Sequence, residues 1–360
     1  MNIGIFGAGI AGLMSAIALR TQGHSCRIYE RSREAQDAGM GFILLPEGIE
    51  YLRSFGMDLT GASSGVPLES YCCRDASGEI LREEAMPAGA RSIRRRDLTA
   101  AMMRALSVFD IVTFDAELDG LEVDAAGRVA SARLSSGKHV EADLYIAADG
   151  TKSRARQIMF PDWPTDPARV QEVVGLAHSE SAVRWCGNTF NKFHAPDGGL
   201  AVGVLPLNAE QLVWYLQFDS KRFSPPKERS ESKRTFLQKL IGDWVDPLPH
   251  LLAMTDFSRV HTWRPVDTEL IPRFHRQNLV LVGDAAHPLL PFTSRGVSSA
   301  MAGGIALGKF LSGERSLEEA LSGYSSECRH QCLPYIAKGR EMTQYFLAPQ
   351  LAGNLMVPVA

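Results

Sequence analysis

Hydrophobic residues along this chain fall in short blocks punctuated by glycine and polar residues, and the block spacing separates two kinds of sheet. Ile3, Ile5 and Phe6 form a short apolar strand; a helix then runs to about Gly23, and Arg27, Ile28 and Tyr29 lead along a second strand to Glu30. Two later apolar runs stop at an acid: one at Asp149-Gly150, the other, Leu279 to Val282, at Gly283-Asp284. Runs this short between turn residues suit strands covered on both faces of a parallel sheet. Both acids then sit at carboxyl ends of strands, the edge where such sheets bind ligands. Elsewhere the pattern changes. Leu212 to Phe218 alternates and predicts a half-exposed sheet face, and VVGLAHSESAVRW (173–185) and GGLAVGVLPL (198–207) read as its antiparallel partners. A helical stretch at 228–243 follows Pro225-Pro226, a terminal helix covers 317–345, and the apolar, proline-interrupted tail 347–360 either docks across a groove or frays.

The first thirty residues carry recognisable chemistry. Gly7, Gly9 and Gly12 stand in G-x-G-x-x-G spacing between strand and helix. The first permits the tight turn, the second removes a Cβ that would meet a pyrophosphate, and the third lets helix and strand pack closely. Free N–H groups and the positive dipole end of the helix would face the diphosphate. Glu30 can accept both ribose hydroxyls and would repel a 2′-phosphate, which disfavours NADP at this corner. The motif alone leaves NAD and FAD both open, and a plain strand-to-helix corner is the bland alternative.

Taken with the two acidic corners in this order, the chain resembles the FAD-dependent aromatic hydroxylases, single-component flavoprotein monooxygenases related to p-hydroxybenzoate hydroxylase, over roughly residues 1 to 310. The resemblance implies an α/β protein: a Rossmann-like FAD-binding domain, an inserted antiparallel-sheet substrate domain and a C-terminal helix. It places Gly7, Gly9, Ala11, Gly12, Glu30 and Arg31 at the diphosphate and ribose site, and Arg95, which opens an R-x-x-L pattern ending at Leu98, against the cofactor. Asp149 and Gly150 fall near the pyrophosphate, and Gly283 and Asp284 near the ribityl chain. Pro291 falls beside the isoalloxazine, with Arg295, Gly296 and Val297 at the helix start facing the flavin pyrimidine. The implied activity uses FAD, NADH or NADPH as co-substrate, and oxygen that adds at the flavin C4a carbon before reaching an aromatic ring. The protein holds that ring and excludes water.

One loop departs from the family pattern. The usual P-x-x-G-Q-G-x-N run becomes Pro291-Phe292-Thr293-Ser294-Arg295-Gly296-Val297-Ser298, and Gly303 stands where an acid is common. Arg295 either adds positive charge near the flavin or faces solvent. The P-F-T-S-x-G run is also similar to flavoproteins that modify protein-bound tryptophan during quinone-cofactor maturation, which implies a protein or peptide substrate as the alternative to a small aromatic one. No catalytic residue is assigned: His178, His194, Tyr215, His261 and Tyr71 are base candidates, His287 is equally a packed turn residue, and of Arg91, Arg94, Arg95 and Arg96 only Arg95 gains support from spacing. Rival enzymes lack their marks. A second G-x-G-x-x-G is missing, no W-x-W of a flavin halogenase occurs, and a plain NAD dehydrogenase leaves both acidic corners unexplained. A binding module with a structural flavin is the remaining rival.

Length and composition narrow the context. A chain of 360 residues accommodates about two domains. The flavin segments are discontinuous, so 1–68, 90–160 and 265–330 are assigned to the cofactor domain, 69–89 and 161–264 to the substrate domain, and 331–360 to the C-terminal helix and tail. A net charge of -3 gives nucleic acid no bulk attraction. No apolar run spans a bilayer and the chain opens on a strand, so a cytoplasmic protein is expected. The six cysteines fit a reducing compartment, and His330 would project away from Cys328 and Cys332 on a helix, so no metal is expected there.

Overall fold

The computed structural model describes residues 1–33, 40–106, 111–163 and 165–349, so most of the tail at 347–360 lies outside the described residues. Strand Asn2–Phe6 lies inside a six-stranded sheet whose order is His275–Arg276, Leu279–Leu281, Leu144–Ala147, Asn2–Phe6, Ser25–Tyr29 and Val112–Thr113. All neighbours are parallel except the first pair. Phe6 pairs with Ala147, and Ala147 with Leu281, so the three motif-bearing strands end side by side. Their residues are buried on both faces, as the unbroken apolar runs required.

Helix Ile10–Thr21 lies between this sheet and helix Gly296–Leu311, with Ile10 to Leu19 all buried. The two helices touch through their backbones. A Cβ on Gly304 would lie 2.7 Å from the Ser15 nitrogen, and one on Gly308 would lie 3.0 Å from the Ala18 Cβ. Helix Leu317–Leu347 follows behind a capping box at Ser316 and Glu319, and it continues unbroken through residue 330, the boundary expected between the cofactor domain and the C-terminal helix. Its end is hooked to the second sheet: Gly199 donates its N–H to the Phe346 carbonyl at 2.6 Å.

That second sheet has seven strands among the described residues, in the order His261–Trp263, Val170–His178, Gln211–Asp219, Leu200–Pro206, Thr189–His194, Ser70–Asp75 and Ile80–Ala85. It is antiparallel apart from the pair Thr189–His194 with Ser70–Asp75, which runs parallel because the chain re-enters after a long excursion. Two expectations are corrected. Strand Gln211–Asp219 is covered on both sides rather than half exposed. Val173, Trp214, Leu216 and Phe218 pack with Leu237, Ile241 and Leu251 of the helices on one face, while Val213 and Tyr215 meet Ile43, Leu45 and Met40 on the other. Alternation here therefore separates two cores rather than core and solvent. The second correction is that residues 180–186 form a short helix, Glu180–Cys186, capped when the Ser179 hydroxyl accepts from the Ala182 N–H. Among the described residues, no helix is long and apolar enough to cross a membrane.

The glycine contact between the two buried helices gives a direct test. Gly304→Val should push them apart and cost about 1–3 kcal/mol through overpacking, read as a lower melting temperature; unchanged melting would show that the helices separate freely.

Candidate active site

At the first corner, the chain's own packing accounts for two of the three glycines. Gly7 has φ +108°, and a Cβ there would lie 2.4 Å from the Ala148 carbonyl oxygen; at Gly12 it would lie 2.0 Å from the Gly7 carbonyl oxygen. A plain strand-to-helix corner explains both. Gly9 is different: the nearest atom to its would-be Cβ is Arg95 Nη2 at 3.7 Å, so its missing side chain keeps ground open beside a guanidinium. Gly9 is also the N-cap of the helix and has no capping side chain, leaving N–H groups of the first turn available to a ligand. Glu30 borders this ground. It accepts from the Ala8 N–H at 2.7 Å and from the Ser32 N–H and hydroxyl at 2.9 and 2.8 Å, while Arg31 is exposed at the rim.

The second and third corners are tied together by a residue whose role the motifs did not reveal. Arg156 is buried, and its Nη1 donates to the carbonyls of Asp284 and Ala285 at 3.1 and 2.9 Å, while Nη2 donates to the Thr151 carbonyl. Burial holds its pKa below the usual arginine value, with Asp149 and Asp284 opposing that shift. Asp149 uses Oδ2 to accept from the N–H groups of Arg154 and Ala155 at 2.7 and 3.3 Å, capping a short helix. Its Oδ1 is buried and unpartnered. Gly150 has φ +81° with open space beyond it. Burial raises the Asp284 carboxyl, opposed by Arg95 and Arg156. Gly283, at φ +57°, lets this corner close on the first helix, since a Cβ there would lie 2.6 Å from the Ala11 Cβ.

Next in the chain, Pro291–Thr293 form a single 3-10 turn and Ser294 takes φ 55°, a left-handed position that glycine would occupy without strain. Gly296 opens the long helix with no atom within 4 Å of its would-be Cβ, and Val297 is half-buried beside it. Arg295 has partners that neither sequence reading included. It forms an ion pair with Glu47 and stacks 5.5 Å from the Tyr335 ring centroid, so its charge is compensated and it is only partly exposed. Glu47 sits in the first turn of helix Pro46–Ser54, far away in sequence, which is why no local pattern announced the pair. Thr293 Oγ1 and Ser298 Oγ are buried without partners.

The sheet face toward these corners carries a band of polar side chains. Glu172, Gln217, Lys192, His194 and Tyr215 project from neighbouring strands, between the apolar groups around Phe292 and Phe346 and those around Tyr71, Phe190 and Leu205. Three of the base candidates, His194, Tyr215 and Tyr71, therefore belong to this face. His178 and His261 share that face by register but lie at its exposed margin, the former bonded to Gln211, away from the buried band. Arg91 braces the carbonyls of Ser64 and Gly65 rather than a solvated face. Glu172, Gln217 and Lys192 were missed because polar residues inside a strand pattern look like its exposed half. Asp284 and Tyr215 keep some accessible surface, yet burial dominates the ionisation of both.

Comparison with known proteins gives a consistent picture. The family described as FAD binding domain matches residues 1–333. The FAD-dependent monooxygenase OpS4 of Beauveria bassiana is 27% identical over 333 residues, covering 86% of this chain and 76% of the relative. The FAD-dependent urate hydroxylase of Klebsiella pneumoniae is 27% identical over 346 residues, covering 94% and 88%. In three dimensions the chain is similar to Klebsiella pneumoniae HpxO complexed with FAD and uric acid, with a TM-score of 0.83, 23% identity, and 96% and 88% of the two chains covered.

One site residue predicts a pH dependence of stability. His287 is buried against Phe274 with both ring nitrogens unpartnered, and burial pushes its pKa down from 6.5 to about 4. A lowered folded pKa means stability is present above 6.5 and is lost as pH falls toward 4, by roughly 3 kcal/mol at ~1.4 kcal/mol per pH unit. His287→Leu should lose less stability than the parent between neutrality and pH 4 in urea unfolding; equal losses would mean that the folded ring takes up its proton unhindered.

Proposed function

The chain belongs to the FAD-dependent aromatic hydroxylases, the single-component flavoprotein monooxygenases, and from that we propose that it oxidises NADH or NADPH and hydroxylates a small electron-rich aromatic or heteroaromatic compound. The observation that carries this reading is the meeting of three ligand-ready corners at one sheet edge: the open ground at Gly9, the free oxygen of Asp149 and the half-buried carboxyl of Asp284.

The residues present fit FAD. Glu30 would hold the adenosine ribose, the N–H groups after Gly9 and the Arg95 guanidinium the diphosphate with Asp149 and Gly150 near it, and Asp284 the ribityl hydroxyls. Pro291 would lie beside the ring system, and the helix opened by Gly296 and Val297 would point its N-terminus at the pyrimidine edge, where it favours negative charge. Bound FAD would supply hydride acceptance from the nicotinamide and activation of oxygen. The chain's own share is to seat the substrate ring, take up or supply protons, and keep water out so that reducing power is not released as peroxide. Segments 1–68, 90–160 and 265–330 would form the cofactor half, 69–89 and 161–264 the substrate half and 331–360 the closing element, in a cytoplasmic enzyme.

A small substrate is favoured over a protein-bound tryptophan because the polar band is roofed. Phe292 and Phe346 pack over it, and the end of the terminal helix is hydrogen-bonded to the sheet at Gly199. A peptide would need that roof lifted.

Three measurements decide the matter. The pure protein should be yellow, and Gly9→Glu should lose FAD because its carboxylate enters the diphosphate ground; normal retention of FAD would remove that corner from the site. Asp284→Ala should weaken FAD affinity by about tenfold, or ~1.4 kcal/mol, without lowering the cooperativity of unfolding, and unchanged affinity would remove the third corner. NADH consumption should rise with a ring compound and yield product in step. Consumption that yields only peroxide across aromatic compounds and tryptophan peptides alike would sink the hydroxylase reading.

A further inference from the structure

The hydrogen-bonding groups of the polar band are left in a definite order. Strand register places His194, Ala201, Gln217 and Glu172 in one row across the sheet, and Lys192, Gly203 and Tyr215 in the next. Gln217 donates from Nε2 to Glu172 Oε1 at 2.7 Å, which fixes its amide and leaves its Oε1 buried without a partner. His194 Nε2 is likewise buried and unpartnered. The Lys192 ammonium lies 5.6 Å from the Phe292 ring centroid and 5.9 Å from that of Phe346. Gly203 permits the arrangement. A Cβ there would lie 2.2 Å from Tyr215 Cζ, so the tyrosine ring lies flat across the strand toward Lys192.

An orphaned buried polar group costs about 1–3 kcal/mol, and a buried ammonium costs more unless a counter-charge stands by. Burial pushes Lys192 down to only about 8, so it remains a proton donor near neutrality, while Glu172, itself raised by burial to about 7, is a partial counter-charge. The aromatic rings beside Lys192 add cation–π attraction. A donor at Lys192 and an acceptor at Gln217 Oε1 thus stand in neighbouring rows of one sheet face, beside the Phe292 and Phe346 rings.

Resting on the hydroxylase reading, we infer that Lys192 and Gln217 together read the edge of the substrate ring: a planar ring bearing an acceptor oxygen beside an N–H or O–H, with the oxygen on Lys192 Nζ and the donor on Gln217 Oε1. A site built to hydrogen-bond a donor rejects the analogue lacking it, because its own acceptor is then stranded. Lys192 also favours the ionised form of that oxygen, since a charge-assisted bond is about twice as strong as a neutral one.

The test uses the FAD-loaded protein and calorimetric binding of urate, 2-quinolone and 3,4-dihydroxybenzoate, in each of which an oxygen stands next to an N–H or O–H, each beside its N- or O-methylated counterpart. Methylation should weaken the best binder at least tenfold. Lys192→Met should weaken that binder by a similar factor, Lys192→Arg should recover part of the loss, and Gln217→Met should shrink the methylation penalty. Flavin absorbance, read on the same samples, separates the two levels: a colourless parent protein defeats the hydroxylase reading itself. A yellow parent that binds methylated and free rings alike, binds none of the six, or is matched in affinity by Lys192→Met defeats this inference alone.

Discussion

A buried guanidinium organises the ligand edge of this protein. Arg156 reaches from the helix after Asp149-Gly150 to the carbonyls of Asp284 and Ala285 and back to Thr151, so two loops more than a hundred residues apart are pinned to one donor fork. Removing such a group from water is expensive unless its donors are satisfied and opposite charge stands near. Both conditions are met by the carbonyl oxygens and by the carboxylates of Asp149 and Asp284. The arrangement also works in reverse. Arg156 and Arg95 oppose the desolvation of Asp284, so an acid that burial would neutralise is drawn back toward its ionised, hydrogen-bond-accepting form.

Close backbone approach is the second constraint, and it explains why the corners can converge. Gly12 admits the Gly7 carbonyl, Gly283 admits Ala11, and Gly304 admits the backbone at Ser15. Each contact would be blocked by one methyl group. Together they draw the first helix, the third corner and the long helix after Gly296 into a single buried layer, and the dipole ends of two helices then point toward the same edge.

How much of this was legible in the sequence depended on whether the signal was local. Gly7, Gly9 and Gly12, the strands ending at Asp149 and Gly283, and the terminal helix were readable because turn chemistry and periodicity act over a few residues. Pairings across the chain were not. Glu47 lies 248 positions from Arg295, and nothing near either residue signals the ion pair. Strand Gln211–Asp219 misled for another reason: its inward positions alternate between a helix-covered core and the active-site face, and a polar residue lining a cavity has the same pattern as one facing water. Lys192, Glu172 and Gln217 were hidden by that ambiguity. The partly buried glycine corner and the buried polar band become parts of one candidate site only once the fold brings their faces together.

The Arg295–Glu47 pair bears on how the altered loop differs from its relatives. A free cation at the start of the long helix would add to the helix dipole and strengthen the pull on negative charge at that end. Compensated by Glu47 and stacked on Tyr335, Arg295 instead spends its charge within the protein. The field at the Gly296 end then comes chiefly from the helix N–H groups, which are fixed dipoles that need no reorganisation when charge develops. What the substitution adds is rigidity: it fastens the loop after Pro291 to helix Pro46–Ser54 on one side and to the terminal helix on the other. Phe292 and Phe346, which roof the polar band, are carried by that loop and that terminal helix. The loop that departs from the P-x-x-G-Q-G-x-N run is thus also the one that carries Phe292 to its contact with Phe346 over the polar band.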